Sequence, residues 1–324
     1  MTRPESFCAV YRIVGGQEID ADVYLPHPNQ GNDAAGFPVV INIHGGAFML
    51  GSSEMVNSDQ VRDCLDRGWI VVAPNHRLCP QVDLWEGPIG DCRACLAWIY
   101  DGGLGDAISK ETNAAAYRLD PDHVFAFGTS SGGTLALCLG FGVPRPVAGI
   151  YDMYGPCDFA NAFWTSELPD VLAMLPSDLS EEFMKHVYLD DPAPIRGGVS
   201  LEGQHPGRPD FSDPRQAFAW STIARGRVLE TVYPGRDWDR VDPLRNVGLA
   251  FPPTFIVHGT KDKMVPIELS RRLYAALREH GVQCGMVEVA GEGHTFAARM
   301  EVESQTWRLQ QLGFDFLERL LEKV

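Results

Sequence analysis

Short apolar segments recur along the chain, and their patterns predict two kinds of strand. Residues 8–14 and 19–25 alternate apolar with polar side chains and are separated by Gly15-Gly16, which predicts an antiparallel hairpin. Later segments are almost continuously apolar and rich in β-branched residues, as expected for strands that are buried on both faces of a parallel sheet. These segments comprise residues 38–43, 69–73, 124–127, 147–151, 254–257 and 284–289.

Helical patterns separate most of these buried strands. They predict helices at residues 58–67, 91–100, 134–139, 266–280 and 301–324. Ser58 is the expected N-cap of the first helix, and residues 101–120 are interpreted as a loop. Strands that alternate with helices predict an α/β fold, in which a mostly parallel central sheet carries helices on both faces and the opening hairpin lies at its edge.

The alternation stops between residues 160 and 250, where no buried strand is predicted. Helix-like pieces at 168–175, 180–188 and 213–224 accompany a loop rich in glycine and proline at 192–209. Because this segment is inserted between two core strands, we expect a helical cap over the carboxyl edge of the sheet, where α/β proteins bind ligands. The predicted domains are a first core part (1–159), a cap or lid (160–250) and a second core part (251–324).

The predicted cap is rich in aromatic side chains, which favours a largely hydrophobic substrate pocket. The alternative is that the same side chains form the small core of the cap itself. They are Phe163, Trp164, Phe183, Tyr188, Phe211, Phe218, Trp220, Tyr233 and Trp238.

Charge and composition narrow the classes of partner. The 324 residues are 45% apolar and carry a net charge of −16, which disfavours nucleic acid and anionic membranes because both bind basic surfaces. No apolar run approaches the length of a membrane span, and the first residues lack the pattern of a signal peptide. We therefore expect a cytoplasmic protein with a small-molecule substrate; the oligomeric state is open, with a homodimer as one alternative.

The eight cysteines are scattered through mostly apolar segments, which is typical of buried thiols in a reducing compartment. Cys92 and Cys95 lie three residues apart on a predicted helix, which is a spacing of the core face. Because no second pair completes a metal site, we expect no metal.

The strongest chemical signal is Gly128-Thr129-Ser130-Ser131-Gly132-Gly133, between a predicted strand and a predicted helix. This is the context of a nucleophile elbow, in which glycines two residues before and after the serine make room for a sharp turn. The turn would present the Ser130 hydroxyl beside the N–H groups of a helix N-terminus. Ser131 is the alternative nucleophile, but a motif centred on it would need glycine at position 129. We therefore expect Ser130 to be the nucleophile.

A serine nucleophile needs a base, and the base needs an orienting carboxylate. His294 follows the last predicted strand within Gly293-His294-Thr295, and Asp262 follows the strand before it, which matches the chain order serine, acid, histidine. We expect these two residues to complete a triad with Ser130. The alternative bases are His186, His205, His258 and His280, and the alternative acids are Glu288 and Glu292.

The oxyanion that forms during acyl transfer needs preorganised N–H donors. The segment His44-Gly45-Gly46-Ala47 follows a central strand, which is where this type of fold places such donors. Gly45 and Gly46 would let the backbone approach a substrate oxygen. The candidate donors are the N–H groups of Gly46, Ala47 and Ser131.

Together these motifs resemble the α/β-hydrolase superfamily, and most closely the hormone-sensitive-lipase-like esterases. The resemblance rests on His44-Gly45-Gly46-Ala47-Phe48, on the elbow, on His258-Gly259-Thr260-Lys261-Asp262 and on Gly293-His294. Outside the predicted cap it covers about residues 8–320. In addition, the segment 75–80 resembles the one after the family's fourth strand, and Asp91 matches an aspartate of the helix that follows it.

The resemblance implies the α/β-hydrolase fold and hydrolysis of carboxylic esters by a serine, without a cofactor. Some positions depart from the family pattern. Thr129 and Ser131 replace an aspartate and an alanine at the elbow, and Ala47 replaces the third glycine of the oxyanion motif. These departures, together with the large insertion, affect the transfer of substrate preference rather than that of the chemistry.

The sequence thus favours a serine hydrolase that acts on a small, fairly hydrophobic ester. A second hypothesis is that the same triad serves amide hydrolysis, acyl transfer or cyclisation in a biosynthetic, secondary-metabolite pathway. A third is a hydrolase fold that only binds a ligand or a partner; the presence of all three triad residues disfavours it.

Overall fold

The computed structural model describes residues 3–30, 36–112, 117–198 and 209–322. Its eight strands form one sheet in the order β1-β2-β4-β3-β5-β6-β7-β8. The strands are β1 (Phe7–Val14), β2 (Gln17–Tyr24), β3 (Phe37–Ile43), β4 (Ile70–Pro74), β5 (Leu119–Thr129), β6 (Gly149–Met153), β7 (Thr254–Gly259) and β8 (Cys284–Val289).

Eleven α-helices are seen in the described parts of the chain. They are α1 (Ser58–Asp66), α2 (Gly90–Tyr100), α3 (Gly103–Glu111), α4 (Ser131–Leu137), α5 (Pro169–Leu172), α6 (Glu181–Met184), α7 (Pro214–Ala224), α8 (Val228–Val232), α9 (Trp238–Val241), α10 (Ile267–Glu279) and α11 (Gln305–Leu321). A π-helix spans Trp85–Ile89, and short 3-10 helices span Pro28–Gln30, Ser53–Met55, Ala162–Thr165, Lys185–Leu189, Pro243–Asn246 and Phe296–Ala298. None of these described helices combines the length and the apolarity that crossing a membrane requires.

The predicted α/β architecture is confirmed. Strand β2 pairs antiparallel with β1 and with β4, whereas every pairing from β4 through β3 to β8 is parallel. Alternate side chains of the central strands enter two separate cores, so that Val39 and Ile41 face one core while Val40 faces the other. Burial on both faces explains why these strands are continuously apolar in sequence.

Two local predictions are wrong. Residues 101–120 are not all loop, because Leu104 and Ile108, one helical turn apart, are buried and support α3. Ser58 is not the N-cap of α1; Asn57 is, since its Oδ1 accepts hydrogen bonds from the N–H groups of Asp59 (2.8 Å) and Gln60 (3.1 Å). A second hydrogen bond, from Asn57 Nδ2 to the carbonyl of Ala297, joins this helix start to the segment after His294.

The described parts of the inserted segment contain short helices and no strand, as predicted, and part of the loop predicted at 192–209 lies outside the described residues. Trp164, Trp220 and Tyr233 are buried and belong to the same apolar cluster as one face of the sheet, so they pack the segment onto the sheet rather than form a core of its own. Tyr188, in contrast, is 56% exposed and packs edge-on against Phe218. The division into cap and core domains stays a prediction.

Two helical glycines offer a test of how tightly α11 packs on the sheet. A Cβ at Gly313 would lie 2.4 Å from the Tyr151 ring, whereas a Cβ at Gly105 in α3 would meet only Leu119 Cδ1, at 3.9 Å. Alanine favours a helix over glycine by about 1 kcal/mol, and overpacking a core costs about 1–3 kcal/mol. Gly313→Ala should therefore lower the free energy of unfolding in urea, whereas Gly105→Ala should hold or raise it. Equal stability of the two variants would contradict this packing.

Candidate active site

The backbone at Ser130 forms a strained turn between β5 and α4. Ser130 has φ 51° and ψ −126°, a conformation that few residues other than glycine adopt. A Cβ at Gly128 would lie 2.2 Å from the Gly132 carbonyl oxygen, so the chain can fold back only without that side chain. The turn is held by the Ser130 N–H, which donates to the Met153 carbonyl (2.9 Å) at the end of β6. These contacts give the physical reason for the glycines of the motif.

The structure brings together the three residues predicted to form a triad. His294 Nε2 lies 3.0 Å from Ser130 Oγ, and His294 Nδ1 lies 2.6 Å from Asp262 Oδ2. A carboxylate only accepts hydrogen bonds, so Nδ1 carries the proton and Nε2 can accept the serine proton. This is the geometry that a serine nucleophile with a histidine base requires.

Asp262 is 8% exposed and held by several donors. Its Oδ1 accepts the N–H groups of Met264 and Val265, both at 2.9 Å, and its Oδ2 is shared by His294 and His258. Burial alone would raise the pKa of Asp262, but the electrostatic attraction of His294 and the hydrogen bonds from both histidines outweigh it and hold that pKa well below its usual value. Asp262 is therefore ionised at neutral pH.

His258 supports this carboxylate, a contact that sequence reasoning missed. Its Nε2 lies 2.8 Å from the Val265 carbonyl and 3.2 Å from Asp262 Oδ2, while its Nδ1 lies 2.8 Å from Ser270 Oγ. Because both neighbours of Nε2 are acceptors, Nε2 carries the proton, and Nδ1 accepts one from the Ser270 hydroxyl. The sequence signal for this contact was the spacing of four residues between His258 and Asp262, across one turn.

The alternative bases and acids lie elsewhere. His186 and His280 are exposed, the latter at the end of α10, and His205 lies outside the described residues. Glu288 is paired with Arg271, and Glu292 accepts a hydrogen bond from Thr306 Oγ1. The geometry therefore favours Asp262 and His294, which contact each other and, through His294, Ser130.

The loop after β3 has the unusual backbone expected of an oxyanion hole. Gly46, Ala47 and Phe48 all have positive φ (124°, 54° and 65°), and the Gly46 carbonyl accepts the N–H groups of Met49 and Leu50. A Cβ at Gly46 would lie 2.3 Å from the Leu50 carbonyl oxygen, so this position needs glycine. We call residues 45–51 the oxyanion loop.

The oxyanion loop lies directly beside the elbow. A Cβ at Gly132 would lie 2.1 Å from the Ile43 carbonyl oxygen, which shows how closely the end of β3 approaches the start of α4. Among the described residues, the backbone hydrogen bonds outside helices and strands include no acceptor for the N–H groups of Gly46 and Ala47. Ser131 is the first residue of α4, where an N–H group has no partner within the helix. Three donors next to the serine are thus available to a ligand oxygen. Gly45 contributes its carbonyl to His44 Nδ1 (2.8 Å) instead.

Buried polar groups support the loop from below. The rings of His44 and His76 stack with centroids 4.5 Å apart, and burial lowers the pKa of His44 to about 3 and that of His76 to about 4. Both are therefore neutral at physiological pH. Asp91, fully buried, binds the guanidinium of Arg77 through Nε (3.0 Å) and Nη2 (2.9 Å) and also pairs with Arg12. This network fixes the segment that follows β4.

Comparisons with known proteins find similar sequences over most of the chain. A family model described as BD-FAE matches residues 21–172, and the model of the prolyl oligopeptidase family matches residues 208–323. The non-reducing polyketide synthase Preu6 of Preussia isomera is 28% identical over 329 residues, which cover 95% of this chain and 14% of the synthase. The 5-methylorsellinic acid synthase of Aspergillus terreus is 30% identical over 352 residues, which cover 96% of this chain and 13% of that protein. The chain thus spans only a small part of the length of these relatives.

Solved structures share the fold over nearly the whole chain. The propionate-bound esterase of Thermogutta terrifontis has a TM-score of 0.63 at 18% identity and covers 98% of this chain and 95% of its own. A Staphylococcus aureus protein described as having unknown function has a TM-score of 0.68 at 19% identity, covering 97% and 99%. With the sheet order and both family models in agreement, the chain has the α/β-hydrolase fold and resembles the hormone-sensitive-lipase-like esterases of that superfamily.

Proposed function

We propose that this protein hydrolyses a small, fairly hydrophobic carboxylic ester through an acyl-serine intermediate. The observation that carries the proposal is the continuous chain of hydrogen-bond contacts from Ser130 through His294 to Asp262, beside three available N–H donors. A ligand-binding protein without catalysis would have no need for a base at 3.0 Å from a strained serine. The arrangement needs neither a metal nor a cofactor to perform the reaction.

The reaction has two stages, acylation of Ser130 and hydrolysis of the acyl-serine. Ser130 Oγ attacks the ester carbonyl carbon while His294 Nε2 takes its proton, and the resulting oxyanion is stabilised by the N–H groups of Gly46, Ala47 and Ser131. The tetrahedral intermediate collapses as His294 returns the proton to the departing alcohol. Water then attacks the acyl-serine, again losing a proton to His294, and the carboxylic acid leaves as Ser130 regains its proton.

The role of Asp262 in this reaction is electrostatic. The same contacts that lower its pKa keep a negative charge next to His294 while the imidazole is protonated. Asp262 also fixes the tautomer with the proton on Nδ1, which leaves Nε2 free to accept. His258 and the two backbone N–H groups hold the carboxylate in place for both tasks.

A second candidate follows from the polyketide synthases, which align with nearly the whole of this chain. One of them is named for a carboxylic acid, 5-methylorsellinic acid, as its product. The same triad would release such an acid from a thioester, with a thiol as the leaving group, or pass the acyl group to an alcohol or amine. Transfer of the acyl group belongs to the biosynthetic alternative raised by the sequence, and release from a thioester extends that alternative.

A cytoplasmic location and a homodimer stay predictions.

Exchange of Ser130 tests the nucleophile. Ser130→Ala should reduce hydrolysis of p-nitrophenyl acetate to the background rate, because the acyl-serine cannot form. Ser131→Ala should keep at least about a tenth of the wild-type kcat, since it retains the backbone N–H that the proposal uses. Mass spectrometry after treatment with paraoxon should find a diethyl phosphate on Ser130. Loss of activity only in Ser131→Ala would instead make Ser131 the nucleophile.

Exchange of Asp262 tests the electrostatic role. Asp262→Asn should lower kcat by about 10³–10⁴-fold with a small change in KM, because the amide removes the charge and favours the wrong histidine tautomer. Glu292→Gln, at the alternative acid, is the matched control and should stay within twofold of wild type. Circular dichroism checks that both variants fold. A smaller loss at Asp262 than at Glu292 would reverse the assignment.

The acyl pocket can be measured with a series of p-nitrophenyl esters from acetate to palmitate. A small, hydrophobic pocket predicts that kcat/KM peaks at a short acyl chain and falls steeply toward palmitate. Benzoyl and acetyl thioesters of N-acetylcysteamine, measured in parallel, test the second candidate. A kcat/KM that is highest for the aromatic thioester would favour release of a polyketide acid over ester hydrolysis.

A further inference from the structure

Arg215 links the inserted segment to the oxyanion loop. It lies in the first turn of α7, after the N-cap Asp213, and is only 6% exposed. Its Nη1 donates to the backbone carbonyls of Met49 (3.1 Å) and Cys79 (2.9 Å). Met49 belongs to the oxyanion loop, and Cys79 lies in the segment that follows β4.

The other side of the guanidinium is anchored outside the loop. Nη2 donates to Gln81 Oε1 (2.6 Å) and to Asp190 Oδ2 (2.7 Å), and Nε donates to the same carboxylate oxygen (3.2 Å). The planar group is thus held on both sides, with its donors directed in a fixed plane. A lysine could not make the same set of bonds.

Backbone hydrogen bonds next to Arg215 join the same segments. Gly51 and Gly197 exchange hydrogen bonds (2.8 and 3.1 Å), and the Cys79 N–H donates to the Phe48 carbonyl (2.9 Å). A Cβ at Gly197 would lie 2.8 Å from Arg215 Cδ and 2.7 Å from a Leu78 methyl group. The backbone at Gly197 therefore packs against both side chains and leaves no space for a side chain of its own. The oxyanion loop is therefore fixed by the elbow on one side and by the inserted segment on the other.

We propose that Arg215 is a positioning residue, which holds the oxyanion loop in the conformation that presents the N–H groups of Gly46 and Ala47. The loop has positive φ at three successive residues and needs external contacts to keep that strained shape. Arg215 binds the carbonyl of Met49, which immediately follows these three residues. This inference rests on the proposed hydrolase function, and it makes the inserted segment a part of the catalytic apparatus rather than only a cover.

The test compares kcat and KM with stability. Arg215→Met removes every donor at similar length, and Arg225→Met, at the far end of the same helix, is the matched control. Because a displacement of about 1 Å in a reacting group can cost about a hundredfold in rate, we expect Arg215→Met to lower kcat for p-nitrophenyl acetate by about 10–100-fold with KM within threefold. Affinity for a trifluoromethyl ketone, which binds as an oxyanion, should fall by a similar factor. Arg215→Lys should recover only part of the loss.

Asp190→Ala provides a milder variant if Arg215→Met does not fold, since Asp190 is exposed and only its contact with the guanidinium is lost. It should lower kcat at least threefold. The inference is overturned if Arg215→Met or Asp190→Ala folds and has a lower melting temperature, but kcat and ketone affinity stay within twofold of wild type. Arg215 would then be a purely structural residue. Absence of paraoxon labelling of Ser130 in the wild type would instead overturn the proposed function itself.

Discussion

The backbone conformation of one residue constrains the rest of this structure. Ser130 can take its positive φ only because Gly128 and Gly132 let the chain fold back on itself, and Gly132 in turn lies against the carbonyl end of β3. The elbow and the oxyanion loop are therefore packed as one unit, with little freedom for either to move alone. Such strain persists where the surroundings over-determine it, and here they do so through a sheet buried on both faces.

Electrostatics complements this rigid frame. The carboxylate of Asp262 is buried, yet two backbone N–H groups and two histidines satisfy it, so that its charge is kept rather than neutralised. Below the loop, His44 and His76 are buried and neutral, which avoids placing a cation beside the N–H donors. The negative charge of Asp262 therefore lies on the His294 side of the nucleophile, while the two imidazoles add no charge below the loop. This asymmetry suits a reaction in which positive charge develops on His294 and negative charge on the substrate oxygen.

Much of this could be predicted from the sequence, because the relevant signals are local. Continuous β-branched runs marked the buried strands, and glycines at sterically closed positions marked the elbow and the loop after β3. Two predictions failed because few side chains decide the local structure. The N-cap of α1 depends on the short side chain of Asn57 rather than on Ser58. Helix α3 depends on the burial of Leu104 and Ile108. The contacts of Arg215 join positions far apart in sequence, so only the folded chain reveals them, whereas the four-residue spacing of His258 and Asp262 was a signal that left the role of His258 open.

The inserted segment joins β6 to β7, two strands that pair in parallel register from Ile150 and Thr254 onward. A segment between these two strand ends can change in length without altering the pairing of the sheet. The guanidinium of Arg215 limits that freedom, because a replacement segment would have to bring its own donor to the carbonyl of Met49. Substrate range and catalytic competence would then be inherited together, and chimaeras assembled at the strand ends alone would combine an intact triad with a poorly formed oxyanion hole.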